Sequence, residues 1–115
     1  MDRFDKTIQL IKQFRKERDW DKYNTPKELV LAASVEMGEL LELFQWRTGE
    51  ELNNYLSVRR EDLKDEMADV FVYLMALTDV LGVDIFDAIE NKMKKNVKKY
   101  PIEKSKGKCD KYNEL

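Results

Sequence analysis

Two pairs of acidic residues interrupt the two most apolar stretches of this chain. Glu36 and Glu39 lie inside LVLAASVEMGELLELFQW, and Glu66 and Asp69 come directly before VFVYLMAL. On an α-helix of about 3.6 residues per turn, residues three apart lie one above the other on the same face. Each pair therefore predicts a helix that presents two carboxylates on one side within an otherwise apolar surface.

Such an arrangement is costly unless a cation joins the acids. Two carboxylates about 4 Å apart repel by roughly 4 kcal/mol at an effective dielectric near 20, and removing each from water costs several kcal/mol more. The stretches from Leu29 to Trp46 and from Met67 to Leu81 contain no Lys or Arg. A divalent metal is the natural alternative, and oxygen-only ligands favour Mg²⁺, Mn²⁺ or Ca²⁺ over zinc. We predict that Glu36, Glu39, Glu66 and Asp69 bind Mg²⁺.

The composition narrows the class of protein. The length of 115 residues predicts a single domain, and the net charge of −2 argues against nucleic-acid binding through a strongly basic surface. The single cysteine, Cys109, excludes an intrachain disulfide, and no signal peptide or membrane-spanning run is visible, so we expect a soluble, cytoplasmic protein. Histidine is absent, which leaves carboxylates, lysine, tyrosine or metal-bound water for any chemistry.

Apolar periodicity and capping signals predict four helices in an all-α fold, with no strand-like alternation of useful length. Thr25, Pro26 and Glu28 form a capping box before the second helix, and Gly82 is a stop signal for the third. The four helices are expected from Asp2 to about Asp19, from Pro26 to about Arg47, from near Ser57 to Gly82, and from the Asp84 cap to Tyr100 and Pro101.

The remaining segments complete the predicted organisation. Residues Glu50 to Leu56 fit either a helical turn or a loop, and Thr48 and Gly49 mark the end of the second helix. The polar stretch 102–115 is expected to be a flexible tail behind a domain of residues 1–101. The second and third helices, which carry the acids, have more apolar surface than their neighbours can cover. We therefore predict that they are buried in a bundle completed by homodimer or homotetramer formation.

Three blocks of sequence carry a resemblance to a known family. The pattern Glu-x-x-Glu, 26 intervening residues and Glu-x-x-Asp lies within RDWDKYNTPKELVLAASVEMGELLELFQW and DEMADVFVYL, and NKMKKNVKKYP follows. In this order the blocks resemble the MazG-like all-α nucleotide pyrophosphohydrolases, in the branch that includes the deoxycytidine triphosphate pyrophosphatases. The likeness covers roughly residues 3–101.

The resemblance implies a function and roles for particular residues. It implies Mg²⁺-dependent hydrolysis of a dCTP-like or modified pyrimidine deoxynucleoside triphosphate to the monophosphate and pyrophosphate, which removes unwanted nucleotides from the pool. It also implies that the four acids hold the metal, with Glu36 or Glu39 as the base that activates water. Base stacking is implied for Trp20 and Trp46, and phosphate contacts for Lys92, Asn96 and Lys99, with Tyr100 closing the last block.

Alternatives remain open at this level. By sequence alone, Trp20, Trp46 and Tyr73 are more often core or interface residues, although Tyr73 falls one turn after Asp69 and can reach the sugar or a phosphate of a substrate. By sequence alone, a solvated face is the better explanation for the lysines of the last helix. A non-catalytic helical adaptor with structural acids is the competing function. A ferritin-like di-iron protein is nearly excluded because its sites need histidine.

Overall fold

The computed structural model describes residues 1–114, which contain helices and no strand, so the predicted all-α fold is confirmed. No helix in this described range is long and apolar enough to cross a membrane. The helices are α1 (Arg3–Glu17), α2 (Pro26–Gln45), α3 (Gly49–Val58), α4 (Arg60–Leu81), α5 (Ile85–Lys99) and α6 (Ile102–Ser105), followed by a 3₁₀ turn at Tyr112–Glu114.

Side-chain caps fix where the helices begin. The Thr25 hydroxyl accepts a hydrogen bond from the Glu28 backbone N–H at 3.4 Å, and Pro26 occupies the first turn of α2. The Asp84 carboxylate accepts from the backbone N–H groups of Phe86 and Asp87 at 3.1 and 3.2 Å. Such caps satisfy backbone donors that have no partner inside the helix. The predicted starts of the second and fourth helices are therefore confirmed.

The segment that the sequence left undetermined forms a helix of its own. Residues 50–56 lie within α3, which begins at Gly49 with a φ of 58°. The predicted start of the third helix near Ser57 was wrong because Ser57 belongs to α3. The chain leaves helical geometry at Arg59, with φ −99° and ψ 30°, and α4 begins at Arg60. A run of charged residues, Arg59 to Asp62, starts at this break and hides it from hydrophobic periodicity.

The helices divide between two compact units, one of residues Met1–Gly82 and one that begins at Val83. In the first unit α2 packs mainly against α4, and α1 and α3 also contact α4. Its core is centred on Ile11, Leu29 and Ala76, one residue from each of α1, α2 and α4. This packing brings the acidic segments of α2 and α4 together.

The two acid-bearing helices are less buried in the single chain than their composition predicts. Only Leu29 and Ala33 of α2 are buried, while Val35, Met37 and Leu41 are each more than half exposed. Helix α4 likewise buries only Val70 and Ala76 among its side chains. The predicted burial is thus not reached within one chain, and its completion by a second copy stays a prediction.

The second unit contains α5 and most of the predicted tail. The Tyr112 ring meets the Tyr100 ring edge-on at a centroid distance of 6.2 Å, and the Lys99 ammonium lies 4.7 Å from the Tyr112 centroid. Short helical turns therefore follow Pro101 where the sequence indicated only polar chain. The flexibility of this segment remains a prediction.

Gly82 offers a direct test of what ends α4. Its φ of 64° is a left-handed conformation, and a Cβ added there meets no atom within 4 Å, so a substitution would be penalised by the backbone alone. We expect Gly82→Ala to lower the free energy of unfolding by about 1–2 kcal/mol, measured by urea denaturation. Gly82→Asn should cost less because Asn adopts this conformation more readily. Equal losses for both variants would contradict the explanation.

Candidate functional site

Three glutamates converge between α2 and α4. Glu36 and Glu39 are one turn apart on α2, Glu66 is on α4, and one carboxylate oxygen from each lies within 4.8 Å of the others. The spacing predicted for the two α2 acids therefore places both side chains toward α4, as the α2–α4 packing requires. We call Glu36, Glu39 and Glu66 the glutamate cluster.

Two members of the glutamate cluster have an oxygen with no hydrogen-bond donor. The Oε2 atoms of Glu36 and Glu66 are shielded from solvent and have no partner. A buried acceptor without a donor costs about 1–3 kcal/mol, and more when the group is charged. A cation bound beside these two oxygens would therefore reduce this cost.

The environment raises the pKa of both carboxyl groups above the ordinary value of 4.5. For Glu36 the largest cause is burial, followed by the hydrogen bond and charge of Glu39 and then the charges of Asp69 and Glu66. For Glu66 burial again comes first, and the charges of Glu39 and Asp69 follow. Without a cation, ionisation of these two acids is therefore less favourable than in water.

The confinement that the sequence predicted for four acids is only partial. Glu36 and Glu66 are partly buried, whereas Glu39 and Asp69 are exposed. The Asp69 carboxylate lies outside the group of oxygens within 4.8 Å, although its charge acts on Glu36 and Glu66. The contact between α2 and α4 is too narrow to cover all four side chains.

The donor set fits a hard divalent cation. All the converging atoms are carboxylate oxygens, two of the carboxylates carry a buried oxygen without a donor, and no cationic side chain is paired with the glutamate cluster among the ion pairs of the described residues. Mg²⁺, Mn²⁺ and Ca²⁺ prefer such ligands, and Mg²⁺ commonly uses a few carboxylates together with substrate phosphates.

An aromatic cavity of about 660 Å³ borders the cluster on one side. Glu36 and Asp69 form part of its lining, so the cavity lies next to the acids. Two predicted substrate-binding residues, Trp20 and Tyr73, also line this cavity. Its remaining lining is Leu10, Ile11, Phe14, Arg15, Asn24, Leu29, Val72 and Ala76.

A second cavity of about 530 Å³ borders the other two glutamates. Glu39 and Glu66 line it together with Trp46, so the two tryptophans that the resemblance pairs as stacking residues line different cavities. The two cavities are called here the Trp20 cavity and the Trp46 cavity. The rest of the Trp46 cavity is lined by Glu42, Leu43, Gln45, Tyr55 and Arg59.

The segment between α1 and α2 positions Trp20. Its ring meets the Phe14 ring edge-on at 5.6 Å, and its backbone N–H donates to the Arg15 carbonyl at 3.0 Å. Sequence reasoning identified Trp20 but missed Phe14, Arg15 and Asn24 as neighbours on the same wall. One signal was available, because Arg15 follows Ile8 and Ile11 at helical spacing and so places a charge on the apolar face of α1.

The predicted phosphate-binding residues lie on α5 and at its end, in the second unit. The positive charge of Lys99 lowers the pKa of Lys92, with burial as the next cause, as expected for two lysines on one side of α5. The Asn96 amide donates to the Met93 sulfur at 3.8 Å. Tyr100 packs against Tyr112. A pair of mutually repelling lysines suits an anion, and phosphate binding stays a prediction.

Comparison with known proteins identifies the family. The model of the MazG-like family matches residues 31–115, and the chain belongs to this family. It is 40% identical to dCTP pyrophosphatase 1 of Bos taurus and 42% identical to that of Homo sapiens, each over 105 residues and 90% of this chain. The chain spans 62% of the length of these relatives.

A solved structure supports the same family assignment. The crystal structure of a pyrophosphatase from Archaeoglobus fulgidus DSM 4304 superposes with a TM-score of 0.83 at 39% sequence identity. The match covers 88% of this chain and 94% of that one. The family predicted from the three sequence blocks is therefore confirmed, and so is the fold class.

The raised pKa values predict how the metal-free protein responds to pH. Because folding raises the pKa of Glu36 and Glu66, the folded state keeps protons that the unfolded chain has already lost. Their unfavourable contribution is absent below about pH 4.5 and grows as the pH rises through the raised pKa. We expect Glu36→Gln to raise the melting temperature in EDTA, with a gain that increases from pH 4.5 to 7.

The matched control is Glu61→Gln on α4, where the carboxylate pairs with Lys64 at 3.4 Å instead of facing other acids. This variant should show no gain that grows with pH. A Glu36→Gln protein that is no more stable than the wild type at pH 7 in EDTA would show that the cluster imposes no strain.

Proposed function

We propose that this protein is a Mg²⁺-dependent nucleoside triphosphate pyrophosphohydrolase that acts on dCTP or a modified pyrimidine deoxynucleoside triphosphate. The observation that carries the proposal is the glutamate cluster, with its two buried oxygens that lack donors, at the wall of an aromatic cavity. The names of the relatives, dCTP pyrophosphatase 1 and pyrophosphatase, support the reaction class and the base.

Glu36, Glu39, Glu66 and Asp69 are the residues that would hold the metal. When bound, Mg²⁺ would neutralise charge that develops on the phosphoryl oxygens and lower the pKa of a coordinated water. The two acids that face the Trp20 cavity, Glu36 and Asp69, would bring this charge next to a substrate that enters there. Glu39 and Glu66 would complete the ligand set from the other side.

The proposed reaction needs one proton acceptor. Water oxygen attacks the α-phosphorus, the bond from that phosphorus to the bridging oxygen breaks, and pyrophosphate leaves with the bond's electron pair. A carboxylate takes the proton from the attacking water. Glu39 and Glu36 are the candidates, since they are neighbours on α2 and each has a carboxylate oxygen within 4.8 Å of the other's.

The aromatic residues suit a nucleoside. The Trp20 cavity combines ring faces with aliphatic side chains, which favours a flat base, and Tyr73 is placed one turn from Asp69, where it can contact the sugar or a phosphate. We assign Trp46 to the opposite side of the cluster. Lys92, Asn96, Lys99 and Tyr100 are proposed phosphate contacts, because a phosphate would relieve the repulsion between Lys92 and Lys99.

The proposal includes a homo-oligomer that works in the cytoplasm, where the nucleotide pool lies. Exposed apolar side chains on α2 and α4, among them Val35, Met37 and Phe71, support burial against a second copy of the chain. Either a dimer or a tetramer would cover these side chains.

The reaction is tested by incubating the pure protein with Mg²⁺ and a panel of deoxynucleoside triphosphates. We expect monophosphate and pyrophosphate in equal amounts, with the highest kcat/KM for dCTP or a modified pyrimidine nucleotide, resolved by ion-exchange chromatography. Omission of Mg²⁺ or addition of EDTA should abolish turnover. Release of orthophosphate as the first product, or no turnover of any nucleotide, would refute the proposal.

Acid variants separate catalysis from folding. Glu39→Ala and Asp69→Ala should each reduce kcat/KM by at least about 100-fold, because both remove charge that the reaction requires, while the helical circular dichroism stays unchanged. Glu61→Ala on the same helix α4 should retain activity. A non-catalytic adaptor predicts instead that Mg²⁺ leaves the melting temperature of the wild type unchanged.

Assembly is tested separately on the exposed apolar surface. Phe71→Lys places a charge on α4, at a side chain that is 59% exposed in the single chain, and should shift the sedimenting species toward the monomer. Val58→Lys on α3, which is 86% exposed, is the matched control and should leave the assembly intact. A wild type that sediments as a monomer at micromolar concentration would contradict this part of the proposal.

A further inference from the structure

Arg15 is a charged residue that the fold buries beside the Trp20 cavity. Its exposed fraction is 7%, and it is the only charged residue that is buried within residues 1–114. Its Nη2 atom lies 3.3 Å from the Asp21 Oδ1, and its Nε has no acceptor and no contact with solvent. A buried arginine is costly unless its charge is paired. Asp21, whose side chain is 63% exposed, is the partner of this charge.

Asp21 belongs to the short connection between α1 and α2 that also supplies Trp20 and Asn24 to the cavity. The backbone of this connection is folded tightly, since both Tyr23 and Asn24 donate their N–H groups to the Trp20 carbonyl, at 2.9 and 3.0 Å. Asp19 has a φ of 54°, the left-handed conformation that commonly follows the end of a helix and that Asp tolerates better than most residues.

The backbone bonds that begin this connection are those of an ordinary helix C-terminus, and the Arg15 side chain adds a second attachment. The Arg15 carbonyl accepts the N–H groups of Arg18 and Trp20, at 3.3 and 3.0 Å, and the guanidinium pairs with Asp21 beyond Trp20. Arg15 therefore contacts this connection at two points, the Trp20 backbone and the Asp21 side chain. The planar guanidinium carries donors in a fixed arrangement, which suits this role better than a flexible ammonium.

We propose that Arg15 is a positioning residue for the nucleotide: through its ion pair with Asp21 it fixes the segment 20–24 so that Trp20 and Asn24 face the cavity beside the glutamate cluster. This inference rests on the proposed function, because it assigns the Trp20 cavity to the nucleoside. Arg15 acts through Trp20 and Asn24 and takes no part in bond breaking. Its loss should therefore weaken binding and leave the chemical step intact.

A second ion pair on α1 provides a matched control. Lys12 Nζ lies 3.9 Å from Asp79 Oδ2, and the Lys12 side chain is half exposed. This pair joins α1 to α4 and does not border the Trp20 cavity. Lys12→Met thus removes a cation from the same helix without releasing the Trp20 segment.

The first measurement is steady-state hydrolysis of dCTP by the wild type and by Arg15→Met, Arg15→Lys, Asp21→Asn and Lys12→Met. We expect Arg15→Met and Asp21→Asn to raise KM by about 10-fold with kcat within about twofold, the signature of lost binding that is equal in ground and transition states. Arg15→Lys should recover part of the loss, and Lys12→Met should match the wild type. If Arg15→Met does not fold, Asp21→Asn decides the outcome, because it keeps the arginine.

The second measurement does not require activity. In a Trp46→Phe background Trp20 is the remaining tryptophan, so its emission reports the segment directly. Arg15→Met should shift this emission to longer wavelength, whereas Lys12→Met should not. Absence of turnover by the wild type would refute the proposed function whatever the fluorescence shows. An active wild type with an unchanged KM in Arg15→Met and Asp21→Asn, or with an equal KM change in Lys12→Met, would overturn the inference about Arg15.

Discussion

Carboxylates repel one another across the α2–α4 contact, and the structure of the first unit depends on apolar packing that offsets this repulsion. Apolar packing of Leu29 and Ala33 from α2 with Val70 and Ala76 from α4 holds the two helices together. Complete burial of a leucine or valine contributes about 1.5–3 kcal/mol, which is comparable to the roughly 4 kcal/mol repulsion of two close carboxylates. The fold can therefore keep the glutamates together without a cation, at the cost of the raised pKa values. A cation would therefore meet carboxylates that already lie close together.

The surroundings of the cluster are asymmetric, and the asymmetry has a chemical meaning. The Trp20 cavity is lined mainly by aromatic and aliphatic side chains, with Arg15 and Asn24 beside the acids, whereas the Trp46 cavity has a larger polar share that includes Glu42, Gln45 and Arg59. The proposed substrate, a nucleotide, has a flat, uncharged base at one end and a strongly charged triphosphate chain at the other. Acids placed between an apolar and a polar cavity match the junction of those two parts, where the α-phosphate lies.

The sequence predicted the features that arise from local physics. The helical spacing of Glu36 and Glu39, the Thr25 cap and the left-handed Gly82 each follow from a few neighbouring residues, and the structure has all three. What escaped prediction depends on contacts between distant residues. Helical spacing predicts which side chains share a face of a helix. It does not predict how much of that face the neighbouring helix covers, and Glu39 and Asp69 are exposed where burial was expected. Helix α3 was ambiguous because its boundary at Arg59 lies within a run of charged residues.

The separation of Trp20 from Trp46 also depends on contacts between distant residues, which the sequence does not reveal. This separation is relevant to assembly. In sequence both tryptophans flank the α2 acids, yet the structure places them in different cavities. Glu39, which lines the Trp46 cavity, lies on α2 between the exposed residues Met37 and Leu41. If a second copy covers those two side chains, as proposed, it also removes water from around Glu39 and increases the cost of its charge. A cation would then stabilise the assembled state more than the single chain. By linkage, assembly would strengthen cation binding to the same extent that the cation strengthens assembly.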